Sequence, residues 1–565
     1  MIRGSTFRAA LGALALVGTV VPLSTLQASS APVVGDNART LVLSIPGPFR
    51  GCTYLDPGAS QSDDALLDLV RPSAFLTNSN GNLVGSGAPI ASAELTSLNP
   101  ETVVYTIAPH ETWSNGAAFN GVDLVAWWHH ARQLASVLSD GYRAIGTLRL
   151  SADSLTLTAT FARPYANWNT LFRDVENRSV TLGCSIAAMV ARPSLGPYVI
   201  AAASASKVVL TMNHSWPTQL DRFGRVVIEA DGAIPSNPSA PFVSYVSNVD
   251  RAEVQASGAH PSLLSHIGSS ATIEEMTFAP ARPLSRRILI REALSWSLDR
   301  QSAVNQLFGA VTFSPSLGAS ALFSQGQGAY PGNDGIGPTG QATTTTTTTP
   351  VASSSGPPDL ADCAVCARDA LRSAGFHYAA TGWFNAAGAP LAVRVVVGPS
   401  SLDRATAAIV EHQWRNFGLS VYTVGASSEL NAAATAAFNN ADVAIFARPT
   451  LTTPTYTARS WTGPAYGDTY LGGFRSPVTS ALYAKAITTF NPVAAMASWR
   501  LFDQFVMTSF WVRPLFTAPS LIEWSGTVGG VYGSASIPGF VDEASTWNLT
   551  GLVSGHSSTG VRVTG

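Results

Sequence analysis

Segments with the pattern of β-strands alternate with segments of helical pattern along most of the chain, and no other feature limits the fold as strongly. The apolar run at residues 39–45 predicts a buried strand, and the alternating residues 103–107 predict another. Apolar residues recur at helical spacing over residues 122–137, after the capping candidate Asn120. A helix predicted over residues 402–416 lies between two further strands. This order favours mixed α/β lobes.

Two more helices are predicted in the second half of the chain. One long helix is expected over residues 289–308. Another is expected over residues 360–374, with Gly375 in the position that favours a left-handed backbone after a helix end.

The composition excludes two broad classes of protein. The 33 Lys and Arg balance 35 Asp and Glu, for a net charge of -2, so the chain lacks the basic excess of a nucleic-acid-binding protein. Its 24 Phe, 14 Tyr and 13 Trp can fill a large core, which excludes disorder of the whole chain. A length of 565 residues predicts two or three domains or lobes.

The first residues have the pattern of an export signal. Arg3 and Arg8 precede an apolar run at residues 9–21, and small residues lead to Ala28 and Ala31. We predict a signal peptide at residues 1–31 and a soluble, extracytoplasmic mature protein, with a retained anchor as the alternative. No cysteine follows the apolar run, so a lipid-attachment cysteine is not expected.

Four cysteines fit an exported protein and allow three pairings. We interpret Cys52 and Cys184 as a structural disulfide within one lobe. Cys363 and Cys366 form a C-x-x-C run at a predicted helix start, which suits a local disulfide, a redox pair or half of a zinc site. The absence of a second C-x-x-C run in the sequence argues against zinc.

Residues 325–358 have low complexity, with an unbroken threonine run at residues 343–349. Such a composition buries too little apolar surface to offset the loss of chain entropy. We predict an exposed, flexible insert.

Several blocks in the chain resemble, in order and spacing, the family 5 extracytoplasmic solute-binding proteins, the peptide- and nickel-type binding components of ABC importers. The blocks are TIAPHETWSNGAAFNGVDLVAW (106–127), FARPY (161–165), LGPY (195–198), NHSW (213–216), REALSWSLDR (291–300), ARDALRSAGF (367–376) and WRNFGLSV (414–421). They span the chain from about residue 40 onward. The stretch at residues 93–117 is most similar to the actinobacterial branch that includes lipoproteins named for binding monoacyl phosphatidylinositol tetramannoside.

The resemblance implies a two-lobe, type II periplasmic-binding-protein fold of mixed sheets flanked by helices. Lobe I would comprise residues 32–277 and 513–565. Lobe II would comprise residues 278–512 and carry the insert 325–358. The chain would cross between the lobes near residues 276–279 and return near residues 511–514.

The resemblance also implies where a ligand would bind. Peptide-binding members hold the peptide amino group with a carboxylate, and Thr450 stands at the matching position here. No Asp or Glu occurs between Val443 and Gly467, while Arg448 on the same segment favours a carboxylate or phosphate unless it points to solvent. We therefore expect an anionic or neutral ligand rather than a free-amino-terminal dipeptide. The expected walls of the cleft are aromatic: Tyr54, Phe446, Trp461 and Tyr466.

An enzyme is not expected. The S-x-x-K match at Ser204 and Lys207 lacks the companion motifs of penicillin-recognising enzymes, and no metal or other cofactor is predicted. The resemblance implies a monomer whose partners are a small-molecule or peptide ligand and an ABC permease. The alternative is an envelope protein of the same fold that binds a glycolipid or has a regulatory role outside transport.

Overall fold

The computed structural model describes residues 40–56, 59–78, 83–134, 139–181, 183–216, 223–230, 241–257, 263–309, 311, 313–323, 362–425, 440–450, 454–458, 461–462, 476–531, 533, 540–541 and 547–549. The predicted signal peptide and the predicted insert 325–358 lie outside these residues.

The strands of the described residues are β1 (Thr40–Ser44), β2 (Phe75–Thr77), β3 (Leu83–Gly85), β4 (Ile90–Leu98), β5 (Glu101–Ile107), β6 (Ile145–Leu150), β7 (Thr156–Phe161), β8 (Tyr198–Ala203), β9 (Lys207–Met212), β10 (Arg225–Glu229), β11 (Phe242–Ser247), β12 (Leu263–Phe278), β13 (His377–Ala379), β14 (Gly382–Phe384), β15 (Ala392–Val397), β16 (Ser420–Gly425), β17 (Val443–Pro449), β18 (Val512–Ser525), β19 (Val528–Gly529) and β20 (Asn548–Leu549).

The helices are α1 (Gln61–Val70), α2 (Gly121–Ala131), α3 (Asp140–Ala144), α4 (Ile186–Met189), α5 (Arg251–Ser257), α6 (Pro283–Arg286), α7 (Ile288–Trp296), α8 (Arg300–Phe308), α9 (Ala364–Ser373), α10 (Ser401–Asn416), α11 (Pro454–Ala458), α12 (Pro477–Ile487) and α13 (Pro492–Thr508).

A ten-stranded mixed sheet runs through the molecule in the order β16-β15-β17-β12-β18-β11-β1-β10-β9-β8. Strands β15 and β16 pair in parallel with α10 between them in the chain, and β1 pairs in parallel with both β10 and β11. One apolar core packs on the β15–β17 end, and a second packs on the β1 end with α1. The mixed α/β architecture predicted from the alternating pattern is confirmed.

The two longest strands lie side by side at the centre of this sheet. Strand β12 pairs with β17, and β18 pairs with β11, so each reaches one half of the sheet. The antiparallel ladder between β12 and β18 shifts register between Ser269 and Ile273. The shift marks where the strands pass from one half of the sheet to the other. The lobe boundaries at residues 277/278 and 512/513, near one end of each strand, stay a prediction.

A smaller antiparallel sheet, in the order β4-β5-β7-β6, packs against α2 around a core rich in aromatic residues. Helix α2 begins as its sequence predicts. The side chain of Asn120 accepts a hydrogen bond from the first turn, and the carboxylate of Asp123 accepts one from the backbone of Asn120.

The prediction of one helix over residues 289–308 is wrong. The structure has two helices, because α7 ends at Trp296 and α8 begins at Arg300. Asp299 caps α8 by accepting a hydrogen bond from the backbone N–H of Ser302 at 2.8 Å, which requires an extended backbone at Asp299. The helix predicted over residues 360–374 begins at Ala364, and Gly375 follows its end with a φ of 85°.

Candidate ligand-binding site

Arg448 lies on strand β17 beside the central strand β12. Its Nη2 and Nε lie 2.8 and 2.9 Å from Oε2 of Glu275. Nη2 also donates to the backbone carbonyl of Ala321 at 2.6 Å, and the guanidinium carbon lies 5.1 Å from the ring centre of Trp461. Both side chains are at most 3% exposed. The alternative that Arg448 points to solvent from a loop is therefore wrong.

The end of β17 is held tightly against β12. Thr450 donates both its backbone N–H and its hydroxyl to the carbonyl of Ala271, at 2.6 and 2.9 Å. The ring of Phe446 is 1% exposed, and a Cβ at Gly398 would lie only 2.9 Å from its Cβ. These contacts place the candidate residues Phe446, Arg448 and Thr450 next to the register shift in the central strands.

A second glutamate of β12 is buried on the side of helix α10. Glu274 is fully buried, and burial raises the pKa of its carboxyl well above the ordinary value, with a further contribution from the nearby Asp403. Asp403 accepts hydrogen bonds from the backbone N–H groups of Ser400 and Ala447, at 2.8 Å each. Burial and the neighbouring Asp403 therefore both favour the neutral form of Glu274.

Tyr54, the predicted ligand residue in the first half of the chain, belongs to a hydrogen-bonded group of aromatic side chains. The hydroxyl oxygen of Tyr142 accepts from Nε1 of Trp127 at 3.2 Å and from the backbone N–H of Phe172 at 2.7 Å. Both lone pairs of that oxygen are then used, so Tyr142 donates its own proton to the hydroxyl of Tyr54, 2.8 Å away. Tyr54 is 5% exposed, and the Arg173 guanidinium carbon lies 5.6 Å from its ring centre.

Three carboxylates surround that guanidinium. Nη2 of Arg173 lies 3.0 Å from both carboxylate oxygens of Asp68, and Nε lies 3.3 Å from Asp174. Burial raises the pKa of all three acids, and that of Asp64 reaches about 7, because one arginine only partly offsets three carboxyls. Burial therefore favours the neutral forms of these three acids.

The small antiparallel sheet, helix α2 and the segment after β7 are called the small-sheet unit below. Two hydrogen bonds join this unit to the helices that follow β17. The backbone N–H of Ala166 donates to the carbonyl of Ile487 at 2.6 Å, and the side-chain amide of Asn167 donates to the hydroxyl of Thr455. Ala166 follows β7, whereas Thr455 lies on α11 and Ile487 ends α12. The Asn167–Thr455 bond bridges residues 288 apart in the chain, and the Ala166–Ile487 bond bridges residues that are farther apart still.

The structure brings together only part of the predicted ligand site. Arg448 and Trp461 are in contact, with Phe446 and Thr450 on the same strand end. Tyr54 lies in the aromatic group of the small-sheet unit. Tyr466 lies outside the described residues. The assignment of these six residues to a ligand stays a prediction.

Sequence reasoning missed the groups that complete this region. Glu275 neutralises Arg448, Asp403 holds the end of β17, and Asn167 reaches across to α11. A capping box at Ser400 and Asp403 was visible in the sequence, but its second bond, to Ala447, depends on tertiary packing.

All four cysteines are paired. Cys52 forms a disulfide with Cys184, 132 residues later in the chain. The neighbouring Gly51 has a φ of 74°, and its backbone lies so close to that of Ile186 that a Cβ would not fit. Cys363 forms a disulfide with Cys366 at the start of α9.

Within the described ranges, no group of three or more His, Cys, Asp or Glu side chains could hold a metal ion. None of the helices described has both the length and the apolar character needed to cross a membrane.

A model described as bacterial extracellular solute-binding proteins, family 5 Middle, matches residues 89–468. The oligopeptide-binding protein OppA of Mycobacterium tuberculosis is 25% identical over 324 residues, which cover 54% of each protein. The probable monoacyl phosphatidylinositol tetramannoside-binding protein LpqW of the same species is 30% identical over 188 residues, or 29% of each protein. The chain thus spans about half the length of the first of these relatives.

Solved structures share the fold over nearly the whole chain. The periplasmic EDTA-binding protein EppA superposes with a TM-score of 0.76 at 18% identity, covering 91% of this chain and 97% of EppA. The oligopeptide-binding protein AppA of Bacillus subtilis, in complex with a nonapeptide, gives a TM-score of 0.67 at 12% identity and covers 90% and 99%. The predicted type II binding-protein fold is confirmed.

Proposed function

The chain belongs to family 5 of the bacterial extracellular solute-binding proteins, and from that premise we propose that it captures a small solute between two lobes and delivers it to an ABC importer. The relatives named OppA and AppA are oligopeptide-binding proteins, which supports a peptide-like or comparable solute. In this role the protein acts as a monomer whose membrane partner is an ABC permease, and it performs no covalent chemistry on the solute.

One observation carries the proposal: the central strands β12 and β18 are shared by both halves of the sheet and shift register between Ser269 and Ile273. A few residues of two adjacent strands can absorb a rotation while the bodies they connect stay rigid. A solute that contacts both bodies favours the closed arrangement by its difference in affinity for the two states.

The charges around β17 favour a neutral solute, or a peptide whose amino group is blocked. No carboxylate occurs between Val443 and Gly467, where peptide-binding relatives would hold an ammonium group. The charge of Arg448 is matched by Glu275, so this arginine offers less attraction to an anion than the sequence alone suggests.

Calorimetry with trialanine and N-acetyl-trialanine tests this preference. We expect the wild-type protein to favour the acetylated peptide. The variant Thr450→Asp should gain about tenfold or more for free trialanine, since a charge-assisted hydrogen bond contributes about 1.5–3 kcal/mol. Thr450→Asn is the matched control of equal size without charge, and it should gain nothing. Tight binding of free trialanine by the wild type would overturn the preference.

Transport itself is tested in the producing cell. Native mass spectrometry of protein purified from its host should reveal a bound small solute, and deletion of the gene should abolish uptake of that solute. Uptake unchanged by the deletion would contradict the transport role.

The family is extracytoplasmic, and we propose that residues 1–31 direct export and are then removed, without a lipid-attachment cysteine. Mass spectrometry of the native N-terminus tests this. A mature chain that begins near residue 32 supports cleavage, and an intact Met1 supports a retained anchor.

The similarity to LpqW favours one alternative, a glycolipid-binding envelope protein outside transport. Lipid extraction of the native protein separates the two roles. A mannose-bearing phospholipid in the extract, together with unchanged solute uptake after gene deletion, would support the alternative.

A further inference from the structure

Cys363 and Cys366 form an accessible disulfide at the start of a surface helix. Cys363 is the N-cap of α9 and is partly buried, while Cys366 in the first turn is exposed. The bond between them is formed. Cys366 is therefore the more accessible of the two cysteines to a thiolate from another molecule.

This disulfide adds little to the architecture. The two cysteines already lie in one helical turn, where the backbone N–H of Ala367 donates to the carbonyl of Cys363 at 2.9 Å. The Cys52–Cys184 bond instead closes 132 residues of chain, and a disulfide restricts the unfolded chain more strongly as the closed loop lengthens. The fold therefore depends much less on the short bond than on the long one.

The surroundings of Cys363 stabilise its reduced form. The backbone N–H of Cys366 donates to Sγ of Cys363 at 3.1 Å, and the start of a helix favours negative charge. The preceding residue, Asp362, is held by two arginines, with Arg300 Nε at 3.0 Å and Arg513 Nη2 at 2.6 Å. These two arginines compensate the negative charge of Asp362, which precedes the cysteine in the chain.

We propose that Cys363 and Cys366 form a thiol–disulfide exchange site that accepts two electrons from an extracytoplasmic protein dithiol. A donor thiolate attacks Sγ of Cys366, the Cys363–Cys366 bond breaks, and Cys363 leaves as a thiolate that takes a proton from water. The second donor thiol loses its proton to water and attacks the donor sulfur of the mixed disulfide, which releases Cys366 as a thiolate that is protonated in turn. The donor becomes a disulfide, and the protein gains a dithiol.

The experiment is an equilibrium titration of the full-length protein with mixtures of reduced and oxidised dithiothreitol. Free thiols are alkylated, and each cysteine pair is quantified by peptide mass spectrometry. We expect the equilibrium constant for reduction of Cys363–Cys366 to exceed that of Cys52–Cys184 by about 100-fold or more, because stabilised thiolates favour the reduced state. Circular dichroism should show the fold unchanged when only the first pair is reduced.

Two single-residue variants test the direction of attack. In Cys363→Ser, the thiol of Cys366 has no resolving partner, so oxidised glutathione should leave a stable mixed disulfide at Cys366. In Cys366→Ser, the partly buried Cys363 should form its mixed disulfide at least several-fold more slowly. Reduction of the two native disulfides at the same dithiothreitol ratio, or reduction of Cys363–Cys366 only on unfolding, would overturn the proposal whether or not the variants fold.

Discussion

The carboxylate of Glu275 lies 2.8 Å from Nη2 of Arg448, and these side chains are 2% and 3% exposed. They stand on neighbouring strands, two positions apart in the antiparallel register, so both lie on one face of the sheet. Opposite charges can be buried this deeply because the attraction between them offsets the free energy that each loses when it leaves water. The pair thus locks β17 to β12 at the point where the central strands shift register.

Breaking this pair should destabilise the protein strongly. Arg448→Met leaves the charge of Glu275 buried without its partner, at a cost of about 3–5 kcal/mol in the free energy of unfolding. Adding Glu275→Gln should recover a large part of that loss, as measured by denaturant unfolding of both single variants and the double variant. Losses that simply add in the double variant would show that the two side chains are not coupled.

Glu274 should make stability fall as the pH rises. Its folded-state pKa is raised well above the ordinary 4.5, chiefly by burial, so above that value the unfolded chain releases the proton while the folded chain keeps it. Since Gln cannot ionise, Glu274→Gln should gain stability over the wild type by up to about 1.4 kcal/mol per pH unit above pH 4.5. Unfolding measured from pH 5 to 8 tests this.

The matched control for that titration is Glu275→Gln, which loses the partner of Arg448 and should be destabilised instead. The groups that face Glu274 are Asp403 and Thr406 on α10 and the neighbouring Glu275. A difference between Glu274→Gln and the wild type that stays constant with pH would mean that Glu274 does not hold the proton.

Tyr142 should matter more to stability than its hydrogen-bond partner Tyr54. Tyr142→Phe removes the acceptor of Trp127 and of the backbone N–H of Phe172, and it also removes the donor to Tyr54. Each buried group left without a partner costs about 1–3 kcal/mol. Tyr54→Phe removes only the acceptor of the Tyr142 proton. Equal losses of unfolding free energy in the two variants would contradict the assigned direction of these bonds.

The bond from Asn167 to Thr455 should favour the closed arrangement. Asn167→Ala removes a bond between the small-sheet unit and α11, and a net hydrogen bond of about 0.5–1.5 kcal/mol corresponds to a roughly 2- to 12-fold shift in population. Small-angle scattering without ligand should show a larger radius of gyration. Asn385→Ala, in a surface turn, is the control, and an equal change there would argue against the bridge.

The sequence predicted local structure correctly where that structure depends on residues close together in the chain. The period of the apolar residues gave the mixed α/β architecture, and the caps at Asn120 and Gly375 marked helix ends correctly. The one long helix expected over residues 289–308 failed because the helical pattern continues on both sides of Asp299, although this residue type favours a cap over a helix interior.

The environment of each charged side chain was decided by the tertiary structure. The residues next to Arg448 in the sequence give no sign of its partner, because Glu275 lies 173 residues earlier in the chain. The same holds for Glu274 with Asp403 and for Asn167 with Thr455. Apolar periodicity is a property of residues close together in the chain, so it can be read from the sequence alone. Burial and pairing of charges depend on which distant strands meet, so they exist only once the chain has folded.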